Sequence, residues 1–170
     1  MKKLTLIIAM AIVSVASYAQ GNTDRIGLGV GALYQRGMDA TLFWEHESRY
    51  HNAWEVFVNA YTKWDKCADC GKVCAKSFFS SYNTGTAGVA YKPCVVRKRN
   101  QYGSLRLGAS AGCDIDKKFL AGIHLGYEHN YALPHGWQFY WQAKVDVMLP
   151  KRMDIVRAGV ALGFKLPCQR

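Results

Sequence analysis

The stretch WQFYWQAKVDVML, Trp137 to Leu149, decides the fold. Every second residue, Trp137, Phe139, Trp141, Ala143, Val145, Val147 and Leu149, is apolar. The residues between them, Gln138, Tyr140, Gln142, Lys144, Asp146 and Met148, carry the polar and charged groups. Successive side chains of a strand point to opposite faces, so this period of two predicts a β-strand with one apolar face. A helix would scatter both sets around its circumference.

The same alternation recurs about eight times. Val156, Ala158, Val160, Leu162, Phe164 and Leu166 oppose Arg157, Gly159, Ala161, Gly163 and Lys165. Phe119, Ala121, Ile123, Leu125 and Tyr127 oppose Leu120, Gly122, His124, Gly126 and Glu128, and Leu105, Leu107, Ala109 and Ala111 oppose Ser104, Arg106, Gly108 and Ser110. Ile26 to Tyr34, Asp39 to Glu47 and Ala53 to Trp64 supply the first three strands. A fourth, about Phe78 to Tyr91, is the least regular. Turn signals separate the strands, and Asp65 to Lys76 is the one long connection. No helix, linker or second domain is expected in this part of the chain. Composition agrees: the 170 residues are half apolar, 13% aromatic and hold only four prolines, which excludes disorder and favours β structure.

Ahead of the strands, Lys2-Lys3 precedes an apolar run from Leu4 to Ala16, and Ser17-Tyr18-Ala19 offers small residues at a cleavage site. This reads as a secretory signal over residues 1–19, leaving 20–170 as the exported chain. Loss of Lys2 and Lys3 takes the formal charge from +10 to +8. No later apolar run approaches the roughly 18 residues of a membrane helix.

Alternation alone fits a soluble barrel with an apolar lumen or a membrane barrel with an apolar exterior. The polar face decides between them. It carries Gly27, Gly29, Gly31, Gly108, Gly122, Gly126, Gly159 and Gly163, not the dense charge of a water-facing surface. Small residues suit the concave interior of a narrow barrel. Aromatics near strand ends (Trp54, Trp64, Tyr102, Trp137 and Phe164) are expected at membrane interfaces. The expected fold is therefore all-β, an eight-stranded antiparallel up-and-down transmembrane β-barrel with a closed, side-chain-filled lumen. Glu45, Glu55, Arg106, Glu128, Lys144, Asp146 and Arg157 are expected inside it as a charge network, since unpaired they would each carry a penalty of several kcal/mol. Such a plug argues against a diffusion pore.

Six cysteines in an exported chain favour disulfides. Strand counting puts Cys67, Cys70, Cys74 and Cys113 on one side of the membrane and Cys94 and Cys168 on the other. Cys113 is expected to bridge one loop cysteine, the other two loop cysteines each other, and Cys94 is a weaker candidate partner for Cys168. The C-x2-C-x3-C spacing lacks the second pair of a zinc site, so no metal is expected. His124 and Glu128 share an inward face while His129 faces out, which breaks a helical metal motif, and Asp114-x-Asp116 reads as a turn. Ser80 and Ser81 have no histidine at a predictable distance. No enzyme activity and no cofactor are expected.

The series Tyr102-Gly103-Ser104-Leu105, Gly122-Ile123-His124, Gly126-Tyr127-Glu128 and Ala158-Gly159-Val160-Ala161-Leu162-Gly163-Phe164-Lys165-Leu166 resembles the TraO family of conjugative-transposon transfer proteins. The cysteine-rich connection and Pro167-Cys168-Gln169-Arg170 depart from its pattern. The resemblance implies an envelope component of a conjugative DNA-transfer apparatus, with other transfer proteins as partners and no catalytic residues to carry over. The location expected is the outer membrane of a Gram-negative bacterium, with its lipid as the first partner. The basic runs Arg97-Lys98-Arg99, Lys117-Lys118 and Lys151-Arg152 lack interleaved stacking aromatics, so direct nucleic-acid binding is not expected. A small barrel for adhesion or envelope integrity, and a secreted lipocalin-like ligand-binding barrel, are the competing readings.

Overall fold

The computed structural model describes residues 23–63, 82–116, 118–149 and 155–168. Its strands are β1 (Thr23–Leu33), β2 (Gly37–Glu47), β3 (Ala53–Lys63), β4 (Asn83–Lys92), β5 (Cys94–Arg97), β6 (Gln101–Asp114), β7 (Phe119–Ala132), β8 (Gln138–Leu149) and β9 (Val156–Pro167). Pairing is antiparallel throughout, and β1 bonds both to β2 and to β9, the latter from Arg25–Pro167 to Leu33–Gly159. That last ladder closes the sheet.

β4 and β5 form a single stave interrupted by Pro93, which has no N–H to give a ladder. The ladder continues through its carbonyl, which accepts from Leu105 N at 3.0 Å. β4 bonds to β3 and to the upper part of β6, whereas β5 bonds only to the lower part of β6, with a register shift at Val95. The result is an eight-stranded closed barrel. Alternation is weakest in β4 because Thr84, Gly85, Thr86, Ala87, Gly88 and Ala90 are small and contrast little between the two faces. The stave begins at Asn83 and not near Phe78; residues 78–81 lie outside the described residues.

Following the register once round from Ile26 runs through Trp44, Val56, Val89, Ala109, Ile123 and Val147 to Val156. The direct β9 partner of Ile26 is Leu166, so the circuit closes with a stagger of 166 − 156 = 10 residues. A stagger of this kind requires strands tilted by about 35–45° to the axis.

The two faces separate cleanly. Leu28, Val30, Leu42, Val56, Val58, Leu105, Leu107, Ile123, Leu125, Val145, Val160 and Leu162 all expose their side chains outward. Asp39, Glu45, Glu55, Lys92, Arg106, Glu128, Lys144, Asp146, Arg157 and Lys165 are all buried inside. This inverts the arrangement of a water-soluble protein.

Glycine has a specific task here. A Cβ on Gly27 would collide with the Phe43 ring, and one on Gly29 or Gly163 with Tyr140. Bare backbone on β1 and β9 leaves room for these large rings in a narrow interior.

At the end holding Thr23 and Pro167, aromatic rings gather on the outer wall. Trp54 meets Tyr91 at 4.9 Å, Trp44 stacks on His46, and Tyr127, His129, Tyr131, Trp141, Phe139 and Phe164 form a continuous chain of ring contacts. This is an interfacial girdle. Tyr102, expected in such a girdle, is instead inside: it shares parity with Ser104 and Arg106, and all three are buried. Trp137 sits exposed in the β7–β8 connection, and Trp64 lies outside the described residues. Two single 3-10 turns, Tyr34–Arg36 and Pro134–Gly136, occupy connections read as turns without helix.

The two faces predict opposite tolerance. Val145→Arg is expected to lower stability in vesicles by about 2–4 kcal/mol, the cost of a cation on the lipid face at mid-membrane. Gln142→Ser, its neighbour on the lumen face, should cost clearly less. Urea titration of both variants in lipid checks the order, and the reverse order would mean that the faces are inverted.

Candidate functional site

The lumen is the candidate site, and it is built in levels. In the lower half, nearest the chain ends, Glu45 (β2), Glu55 (β3) and Glu128 (β7) converge. Their carboxylate oxygens lie within 4.8 Å of one another, a spacing that could hold a metal ion. The cations are supplied by the chain itself. Lys92 Nζ donates to Glu45 at 2.6 Å and Glu128 at 2.8 Å and also pairs with Glu55. Lys165 Nζ lies 2.8 and 2.9 Å from the two Glu45 oxygens and 2.6 Å from Glu128. Arg106 donates twice to Glu55 Oε1, at 2.6 and 3.0 Å. Three carboxylates face three cations, so the cluster is neutral as it stands.

Aromatic rings cover the cluster. Phe43 and Tyr140 meet edge to face at 5.7 Å, and Phe57 belongs to the same buried group. Lys92 lies over Phe43 at 4.9 Å, Arg106 over Phe57 at 4.4 Å and Lys165 over Tyr140 at 5.4 Å. A cation desolvated against a ring face gains roughly 2 kcal/mol. The rings therefore offset part of what burial costs the ammonium and guanidinium groups.

Above the rings lies a second cluster. Lys144 pairs with Asp39 and lies 3.5 Å from Asp146, and Asn59 donates to Asp39 at 2.7 Å. His124 Nδ1 lies 2.7 Å from Asp146, and its Nε2 lies 2.6 Å from Ser110 Oγ. Higher still, Arg157 lies over the Tyr61 ring at 3.7 Å and donates to Thr84 at 3.0 Å. The lower mouth is closed by Glu47, which pairs with Arg25 and His51. Tyr102 stacks under His51 at 4.4 Å, its hydroxyl 2.9 Å from Gln138 and 3.2 Å from Glu47.

Every charge expected in the lumen is buried there. Glu45, Glu55, Arg106 and Glu128 fall in the lower cluster, Lys144 and Asp146 in the upper one, and Arg157 above it. Sequence reasoning omitted Lys92 and Lys165, the two most connected cations. Lys165 carries a readable signal, the same parity as Arg157. Lys92 has the parity of Thr84, Thr86 and Ala90, a fainter signal because those residues are small.

Ser110, His124 and Asp146 form a serine–histidine–carboxylate line of the kind that activates nucleophiles. Parity places all three inside, but only the register of β6, β7 and β8 puts them side by side. All three are buried. The space lined by Thr41, Glu55, Asn59, His124, Gln142 and Lys144 has a volume of about 10 Å³, the threshold for one water molecule. A carbonyl substrate has no room beside Ser110. The same packing removes the lipocalin-like reading, which needs an apolar lumen open to a ligand.

The cysteine expectations are not met among the described residues. Cys94, Cys113 and Cys168 are free thiols, so neither the Cys94–Cys168 bridge nor the bridge expected from Cys113 to a loop cysteine forms. β6, β7 and β8 separate β5 from β9, and four steps of about 4.8 Å put the two strands about 19 Å apart along the sheet, beyond the roughly 7 Å reach of a disulfide. Cys113 is exposed on β6, while Cys67, Cys70 and Cys74 lie outside the described residues. Asp114 accepts from Lys118 N at 2.8 Å, as a turn carboxylate does. His129 is a girdle residue, its Nδ1 2.9 Å from the Tyr127 hydroxyl.

No protein-family model matches the chain, and no curated protein matches its sequence. Solved structures share its fold. A major outer membrane protein from Thermus thermophilus superposes with a TM-score of 0.56 at 12% identity, over 88% of this chain and 100% of that one. Neisserial surface protein A gives 0.53 at 11% identity, over 86% and 97%. A de novo designed transmembrane β-barrel gives 0.50 at 11%, over 86% and 95%. The chain is an eight-stranded transmembrane β-barrel.

Two outcomes follow from the lumen geometry. Lys165→Met strands the Glu45 and Glu128 carboxylates with fewer cations and should cost about 3–5 kcal/mol of unfolding free energy. Adding Glu45→Gln should recover part of that loss in a urea-titration cycle; a double variant no better than the single would sink the coupling. A fluorophosphonate probe should leave the folded protein unlabelled, and labelling abolished by Ser110→Ala would show that the serine is reachable.

Proposed function

We propose that this chain is a non-enzymatic protein of the bacterial outer membrane, exported under a signal over residues 1–19. The observation that carries the reading is the inversion of its faces, an apolar belt outside and neutralised ion clusters inside. A belt of that kind needs hydrocarbon around it, and a lumen plugged by Lys92, Lys165 and Arg106 against three glutamates conducts nothing. The likeness in fold to solved outer-membrane barrels supports the same location. Work is then left to the two rims and the connections.

We further propose that it serves as an envelope component of a conjugative DNA-transfer apparatus. The support is the likeness of its β6, β7 and β9 segments to the TraO family, and a packed, closed lumen agrees with a scaffolding part. Its partners there are other transfer proteins and not the DNA itself.

The location is tested by fractionation. The exported chain should separate with outer membranes, and boiled and unboiled samples should migrate differently on a denaturing gel. Recovery without detergent as a soluble periplasmic protein would sink the reading. The transfer role is tested by deleting the gene from a donor strain and counting transconjugants. A transfer frequency restored by the wild-type gene is expected, and an unchanged frequency would leave only the barrel.

A further inference from the structure

Among the described residues, the rim that holds the chain ends exposes formal charge of one sign only. Arg49 in the β2–β3 turn and Arg97, Lys98 and Arg99 in the β5–β6 hairpin are all exposed. Among the described residues of that rim no carboxylate is exposed to offset them. Asp24 is turned to His46 at 2.6 Å, and Glu47 is buried under Arg25 and His51. The four cations belong to one ordered surface. Cys94 N donates to Asn52 Oδ1 at 2.9 Å, and the Arg97 guanidinium lies over the Tyr50 ring at 5.6 Å, so turn and hairpin are held together. The hairpin tip is closed by Lys98 N to Gln101 O and tied to β7 by Ala132 N to Asn100 O, both at 2.9 Å.

We propose that this surface is a docking platform for the anionic head groups of phospholipids in the leaflet on the side of the chain ends. Depth is the first argument. Trp54 is the second residue of β3, and Tyr91 stands two residues before Pro93, so the girdle pair lies just above the platform on the outer wall. Cations one step beyond an aromatic girdle stand at the level of lipid phosphates. Composition is the second argument. Val95, Val96 and Tyr50 are exposed beside the cations, an apolar presentation that solubility does not call for and an interface does. The third is the open edge of β5, which lacks a strand partner on its outer side among the described residues. Its Val95 bulge and flanking Arg97 and Lys98 are devices that keep another strand from pairing there. Lipid phosphate, a dispersed acceptor, fits such an edge better than an added strand does.

This proposal rests on the reading of the chain as an outer-membrane barrel. The exported chain is folded into phosphatidylcholine vesicles, with the gel shift of unboiled samples as the measure of folding. Spin-labelled phosphatidylglycerol or spin-labelled phosphatidylcholine then reports the lipid held at the protein surface. A preference of about fivefold for phosphatidylglycerol is expected, the scale of one basic residue at a charged membrane, shrinking as salt is raised. In the variant R49Q/R97Q/K98Q/R99Q the preference should fall to near one with the gel shift intact. Neutralising Arg36 and Lys118 at the opposite rim should leave it unchanged. A wild-type ratio near one, an undiminished ratio in the fourfold variant, or an equal fall on neutralising the opposite rim would overturn the platform. A missing gel shift would overturn the barrel itself, which keeps the two failures distinct.

Discussion

Inside hydrocarbon no water is available to a peptide group, so every backbone N–H and C=O there must find its partner within the sheet. The β1–β9 ladder from Arg25–Pro167 to Leu33–Gly159 meets that demand, and the rest of the architecture follows from it. Closing eight staves leaves a narrow interior that is too polar along one parity to be empty. The one strand with an open edge among the described residues, β5, lies beyond the girdle of Trp54 and Tyr91. An unpaired edge is tolerable there because water and head groups can satisfy it.

Closure alone does not say which parity faces in. A barrel apolar on both faces could slip one residue along any ladder with little penalty. Here a slip of β8 would carry Lys144 and Asp146 into lipid and bring Val145 and Val147 against Asp39 and His124. Each misplaced charge at mid-membrane costs about 2–4 kcal/mol, and each partner left behind is a buried ion without a counter-charge. The ion clusters thus act against alternative registers more than they add to stability. Lysine suits the lower cluster for a geometric reason. A single ammonium has three donors, and Lys92 directs them to Glu45, Glu55 and Glu128 at once.

Much of this was legible in the sequence because period two is a local signal. The parity of Trp137 to Leu149 places Lys144 and Asp146 on the lumen side without knowledge of any other strand. What local parity cannot supply is which inward residues meet. Ser110, His124 and Asp146 are each readable as inward, but their line exists only because β6, β7 and β8 pair in one particular register. Faint contrast hid the rest. Lys92 is in phase with Thr84, Thr86 and Ala90, but these inward residues are small and Gly85 and Ala87 oppose them, so the alternation that marks Lys92 as a lumen cation is weak. Tyr102 was misplaced for a different reason: an aromatic near a strand end suggests a girdle, yet its parity with Arg106 outranks its chemistry.

The distribution of charge carries the argument to function. Among the described residues, the buried ionisable groups include seven acids (Asp39, Glu45, Glu47, Glu55, Asp114, Glu128 and Asp146) against five bases (Lys92, Arg106, Lys144, Arg157 and Lys165). The lumen therefore absorbs none of the +8 formal charge of residues 20–170, and the surplus must stand elsewhere. The lipid belt cannot hold it, since cations are costliest there. Only the rims and connections remain. A barrel whose core is filled by its own ion pairs offers its surroundings nothing through the centre. What distinguishes it from any other small barrel is written at its two ends, where the ladders stop and the side chains no longer have to choose between lipid and lumen.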